Sequence, residues 1–229
     1  MHDAAGAAEG EDPLTHWRVE REWEGSCCFI VAGGPSVIDQ PLDLLRGHRV
    51  IAINSSWSRV PFADLLFFGD ARWFYHNGDD VMSGFAGRIA TCALGVGGSR
   101  VLRLRRAPPP GLAAEADTVT LRRTSATAAI NLAVHLGVSR IVLLGLDGKV
   151  ATDGRTHHHA PHPWHLRHGW ADEQRDDLAS LVAPLQARKV EVLNAAPDSA
   201  VTLWPAIAFP AVIGSQSGAA SSGNIPAVA

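Results

Sequence analysis

The chain has 229 residues, of which 46% are hydrophobic, a formal net charge of −3 and three cysteines. That is enough apolar material for one α/β domain with a full core, and the charge balance excludes an overall basic footprint for nucleic acid. An odd cysteine count without metal or disulfide spacing, and no apolar run near ~18 residues, point to reduced buried thiols, a cytoplasmic location and no membrane partner.

Residues 1–24 read as an N-terminal tail and edge segment. Met1–Asp12 is small and acidic and is expected to fray, while Trp17 and Trp23 are expected to pack on a sheet edge. Residues 25–209 form the domain proper. It opens on Cys27–Ser36, CCFIVAGGPS, an apolar strand running into Gly33-Gly34-Pro35-Ser36. A Gly-rich turn after a buried strand is where a doubly wound sheet brings phosphate close to the backbone, though turns use glycine for other reasons too. Val37–Leu45 reads as a short helix capped by Ser36. His48–Ile53 is the second strand and ends at Asn54-Ser55-Ser56-Trp57. Asn54 lies about twenty residues past the glycines, where dinucleotide-binding sheets place a ribose-binding acid; an amide there suits a ribose, a base or a plain turn.

Leu65–Phe68 is the third strand and stops at Gly69-Asp70, an acid at a strand C-terminus, followed by a short aromatic-rich helix over 71–76. Arg88–Leu94, Ser99–Leu104 and Asp117–Leu121 read as further strands. The basic run Arg100–Arg106 alternates like a strand with one solvated face. Thr124-Ser125-Ala126 opens a helix over 125–136 that Gly137 ends, and its N-terminal N–H groups suit an anion as well as a cap. Ser139–Leu144 is a long apolar strand ending Gly145-Leu146-Asp147, a second acid at a strand end. Strand–helix–strand repetition with short joins implies a mainly parallel, Rossmann-like doubly wound sheet in a single domain.

Residues 154–169 form a His-rich lid: His157, His158, His159, His162, His165 and His168 are six of the chain's eleven histidines. A transition-metal site, a general base and a polar loop with solvated histidines are the three readings open to it. Trp170–Arg188 reads as an amphipathic helix and Lys189–Leu193 as the last strand. Residues 210–229 are Ala/Gly/Ser/Pro-rich and are expected to be disordered.

The runs IVAGGPSV, AINSSW, PFADLLFFGD, TSATAAINLAVHLGVSRIVLLGLD and NAAPDSAV resemble, in that order, one superfamily. It joins the archaeal 6-hydroxymethylpterin diphosphokinase-like proteins (the DUF115 family) with the bacterial family 42 sialyltransferases, and phage-encoded members of unknown role are similar in look. The resemblance implies a nucleotide or nucleotide-sugar donor held at the strand C-termini. Ala32, Gly33, Gly34, Pro35 and Ser36 match a turn that contacts the cytidine nucleotide in the sialyltransferases, with Gly33 in place of an asparagine. Asn54, beside Ser55, matches the strand-two asparagine. Thr124, Ser125 and Ala126 match a Ser/Thr-Ser-Gly helix start, and Asp147 matches an aspartate after the IVLLG-type strand. His168 stands where the sialyltransferases keep a catalytic histidine; their phosphate-binding tyrosines have no match, Tyr75 being the only tyrosine. The diphosphokinases use ATP and magnesium, for which Asp70 and Asp147 are the metal-facing acids implied.

The expected function is thus a nucleotide-dependent transferase that moves a glycosyl or diphosphate group to a hydroxyl acceptor of unknown identity. A lid histidine, His168 or His157, serves as base, with Asp147 in the catalytic set. The alternative is a non-catalytic phage accessory or morphogenetic protein that keeps the fold. A third idea is a metal-binding protein built on the histidine loop. A homo-oligomer stays open.

Overall fold

The computed structural model describes residues 15–160 and 169–217. Seven strands make one all-parallel sheet: β1 (Cys27–Val31), β2 (Arg49–Ile53), β3 (Leu65–Phe68), β4 (Arg88–Thr91), β5 (Val101–Arg103), β8 (Arg140–Leu144) and β9 (Glu191–Asn194). Two short strands, β6 (Arg105–Ala107) and β7 (Thr118–Thr120), pair separately and in parallel. The strand order is β5-β4-β3-β2-β1-β8-β9. The chain therefore winds outward from β1 to β5, then returns to the other flank of β1 for β8 and β9. This is the single-domain, Rossmann-like α/β fold expected from the strand–helix rhythm.

The apolar runs of β1 and β8 follow from their position, since both lie inside the sheet and are covered on both faces. Alternate residues of β1 enter two different core layers. Cys28 and Ile30 pack with α2 (Ser125–Leu136), α3 (Trp170–Ala179) and α4 (Val182–Ala187). Phe29 and Val31 pack with α1 (Ala71–Gly84) and α5 (Phe209–Ser217). Helix α2 is buried almost all round, which accounts for its run of alanines. Gly137 stops it in the left-handed region at φ 94°. Trp17 meets the sheet edge as expected, its amide donating to the carbonyl of Arg103 of the edge strand β5 at 2.7 Å, whereas Trp23 is buried in the α2 layer, its amide on the carbonyl of Leu136. Burial raises the thiol pKa of Cys28 and lifts that of Cys92 to about 11, so both are poor nucleophiles. Among the described residues no helix is long and apolar enough to cross a membrane.

Four expectations need correction. Val37–Leu45 is not one helix but two 3-10 turns, Pro35–Ile38 and Leu42–Leu45, because Pro41 lacks the amide a continuous helix needs. The basic run Arg100–Arg106 is split: β5 joins the main sheet, β6 leaves it, and the buried Leu104 lies between them. Trp170–Arg188 breaks into α3 and α4, since Pro184 cannot donate to the carbonyl of Ser180 four residues back. The stretch from 210, expected to be disordered, begins inside α5, which buries Phe209 and Val212. Residues 1–14 and 218–229, the remainder of the expected tails, lie outside the described residues.

Candidate functional site

The strand order reverses between β1 and β8, and open parallel sheets hold ligands outside the carboxyl ends of such a pair. A crevice of about 610 Å³ lies there. Gly33, Gly34, Asn54, Asp70 and Asp147 line it from the strand ends. Thr124, Ser125 and Ala126 line it from the start of α2, and His157 from the lid. Pro35, Ser36 and Ser55 are not among its lining residues, and His168 lies outside the described residues.

The floor is interlocked. Asp147 is 7% exposed and accepts from the amide of Ser36 at 2.9 Å and from the Ser36 hydroxyl at 2.5 Å. Gly34 donates its amide to the carbonyl of Gly145 at 2.9 Å. A Cβ on Gly34 would stand 2.5 Å from that carbonyl oxygen and 2.6 Å from the Asp147 carboxyl carbon. Gly34 therefore has to be glycine so that the β1 and β8 loops can cross. Neither Gly33 nor Gly34 takes a positive φ. The phosphate cradle expected at this turn is correspondingly narrow. The amides of Ala32, Gly34 and Ser36 are engaged and Pro35 has none, so Gly33 supplies the turn's one unpaired N–H among the described residues.

The opposite wall is cationic. Thr124 caps α2 by accepting from the amide of Ala126 at 3.2 Å. Gly69 lets the helix start abut the end of β3, because a side chain there would run into Leu121. The crevice as a whole is lined by Arg72, Arg106, Arg122, Arg123 and Lys149, and by the carboxylates of Asp70, Asp147 and Glu173. The cations are held differently. Arg122 donates twice to the buried Asp177, at 2.7 and 3.1 Å, and the amide of Arg123 donates to the other Asp177 oxygen at 2.9 Å. The Arg123 side chain pairs with Glu173 at 2.9 Å. Arg106 donates to the carbonyl of Leu121 at 2.8 Å, and Arg72 pairs with Asp70 at 2.9 Å. Lys149 is exposed at the crevice and forms no ion pair among the described residues.

Three lid histidines are described, and they have three different settings. His157 lines the crevice, with Nδ1 paired to the Thr156 hydroxyl at 2.9 Å. His158 is the latch: its amide donates to the carbonyl of Gly33 at 3.0 Å, and its Nε2 meets the fully buried Ser56 hydroxyl at 3.2 Å. Burial, then the cationic surroundings of His159, Arg59 and His157, push its pKa down to about 4, so it is neutral near pH 7. His159 stacks on His157 with ring centroids 5.0 Å apart.

On the β2 side, Asn54 takes a left-handed φ of 49° and its Oδ1 is buried without a hydrogen-bond partner among the described residues. Ser55 is occupied elsewhere, accepting from the Trp73 indole at 2.9 Å. Asp70 caps α1, accepting from the amide of Arg72 at 2.9 Å. The two acids expected to face magnesium are thus engaged by Arg72 and by Ser36. Among the described residues no group of three or more His, Cys, Asp or Glu gathers to hold a metal ion. The donor set does not fit a resident magnesium centre.

Comparison of the chain with protein-family models, with curated proteins and with solved structures finds no match. Sequence reasoning missed Arg72, Arg106, Arg122, Arg123 and Lys149. A visible signal existed for two of them: Arg122-Arg123 directly precedes a helix cap, where cations crowd an already positive helix end unless an anion is expected.

Proposed function

We propose that the crevice binds the phosphates of a nucleotide or nucleotide-sugar donor, and that the protein transfers a glycosyl or diphosphate group from it to a hydroxyl acceptor. The observation that carries this reading is that five cationic side chains line the crevice at the switch point of the sheet, three of them (Arg106, Arg122 and Arg123) at the entrance to α2, in a chain whose net charge is −3. Local positive potential in an acidic protein serves an anionic ligand. Thr124, Ser125 and Ala126 bring the helix N-terminus to the phosphates, and Asn54 supports the nucleoside end. His157 is the described lid histidine placed to take the proton of an acceptor hydroxyl as that oxygen attacks the anomeric carbon or β-phosphorus and the nucleotide leaves. Asp147 secures the floor beneath them. The resemblance to the diphosphokinase and sialyltransferase superfamily supports the same reading.

A second reading, a nucleotide-binding accessory protein without turnover, is favoured by Asp147, whose two oxygens are both engaged by Ser36. A thermal-shift screen with CMP, CDP, ATP, GTP, UDP-sugars and CMP-sialic acid, with and without magnesium, tests both. A selective rise in Tm supports the donor site and names its class. No rise with any of them overturns it. Binding without product formation on incubation with hydroxyl acceptors selects the second reading.

A further inference from the structure

The crevice arginines are not equivalent: Arg72 pairs with Asp70, the cap of its own helix, and among the three arginines at the α2 entrance one stands in an exchangeable pair. Arg122 is held by Asp177, whose side chain is 1% exposed. A buried carboxylate stripped of its partner is costly, so that pair is a fixture. Arg106 braces the carbonyls of Leu121 and Arg122. Arg123 differs. Its backbone is tied down by Asp177, but its guanidinium meets Glu173 in a pair whose side chains are 34% and 35% exposed, and both residues line the crevice. Such a part-solvated pair is weak and readily replaced.

We infer that Glu173 is a built-in competitor for the anion: it occupies Arg123 in the empty crevice and gives way when a phosphate takes its place, so that Glu173 sets how tightly the crevice binds. This deepens the anion-site reading above and rests on it. The chemistry favours exchange. A guanidinium offers a phosphate two parallel N–H donors, and a phosphate brings more negative charge than one carboxylate. The exchange needs only side-chain motion, because Asp177 keeps the Arg123 peptide where it is. Glu173 loses little on release, since it lies in the first turn of α3, where a negative charge is favoured by the helix end itself. The pairing also gives selectivity. A weak monoanion has to overcome both the Glu173–Arg123 pair and the repulsion of Glu173, whereas a diphosphate does so with charge to spare.

The test is calorimetric titration of inorganic pyrophosphate into the wild-type chain, Glu173→Gln, Arg123→Gln and the double variant. Glu173→Ala serves as a second form of the first change, alanine being a good helix former. Glu173→Gln is expected to bind about three- to tenfold tighter than wild type, the range set by the modest strength of an exposed pair plus the removed repulsion. Arg123→Gln binds about tenfold weaker, and the double variant gains less over Arg123→Gln than Glu173→Gln gains over wild type, because only the removed repulsion remains once Arg123 is gone. Wild-type binding that neither Glu173 variant tightens overturns the inference alone. A gain of undiminished size in the double variant overturns it too, since Glu173 would then act only as a nearby charge. Binding to none of the proteins overturns it together with the anion-site reading.

Discussion

The two walls of the crevice are built on opposite principles. At the β1–β8 floor, Gly34, Ser36, Gly145 and Asp147 satisfy one another: amides meet carbonyl and carboxylate oxygens, and no room is left for even a methyl group on Gly34. At the α2 wall, arginines converge on a helix N-terminus, and one of their ion pairs is about a third exposed to solvent. The floor is complete in itself, which is what a scaffold requires. The wall sets three arginines, Arg106, Arg122 and Arg123, against two carboxylates, Asp177 and Glu173, an excess of positive charge that suits an anionic ligand. The lesson is that a glycine-rich turn and a ligand cradle look alike in one dimension. The hydrogen-bond partners of the turn's amides tell them apart.

That contrast is open to attack, beginning with the largest effect. Gly34→Val forces a Cβ against the Gly145 carbonyl, a backbone atom that cannot swing aside. The expected loss of stability in a urea melt is above about 3 kcal/mol, whereas a variant as stable as wild type would mean the floor is not interlocked. Next come the two adjacent arginines. Arg122→Gln leaves the buried Asp177 without its cation and is expected to cost about 2–3 kcal/mol. Arg123→Gln removes only a part-solvated pair and should stay within about 0.5 kcal/mol of wild type. Equal losses in the two variants would erase the distinction between fixture and exchangeable pair.

The smallest effect concerns the lid. His158 has its pKa lowered from 6.5 to about 4, chiefly by burial. Between those values the released loop binds a proton that the latched loop excludes, so the latch is fully favoured above pH 6.5 and weakens as pH falls towards 4. Hydrogen exchange over residues 151–160, corrected for the intrinsic rate, should therefore quicken across that window in wild type. In His158→Asn the dependence should flatten. An unchanged profile in that variant would show that another group controls the loop.

The sheet was legible in the sequence because its signals are local. Six apolar residues before Gly33, and IVLLG before Leu146, can only be interior strands once the turns bound them. The start of α2 was legible through Thr124, and His157 through the density of histidines. The breaks at Leu104 and Ser180 were not, since they depend on which layer the chain enters next. Nor was the role of Gly34, because the need for glycine comes from Asp147, a residue far away in the chain. Arg106, Arg122 and Arg123 escaped for a related reason: each looks like an ordinary solvated cation until the fold draws β6, the α2 entrance and α3 together.

The most direct test of the central claim, that the anion is held by the α2 wall rather than by the glycine turn, is to compare pyrophosphate affinity in Arg123→Gln and Gly33→Ala. A Cβ on Gly33 would come no nearer than 3.4 Å to its neighbour, the His157 ring, so the second variant folds without strain. The account predicts about a tenfold loss for Arg123→Gln, in line with one lost charge-assisted contact, and a change within about twofold for Gly33→Ala. A loss confined to Gly33→Ala would place the anion on the turn and contradict the account.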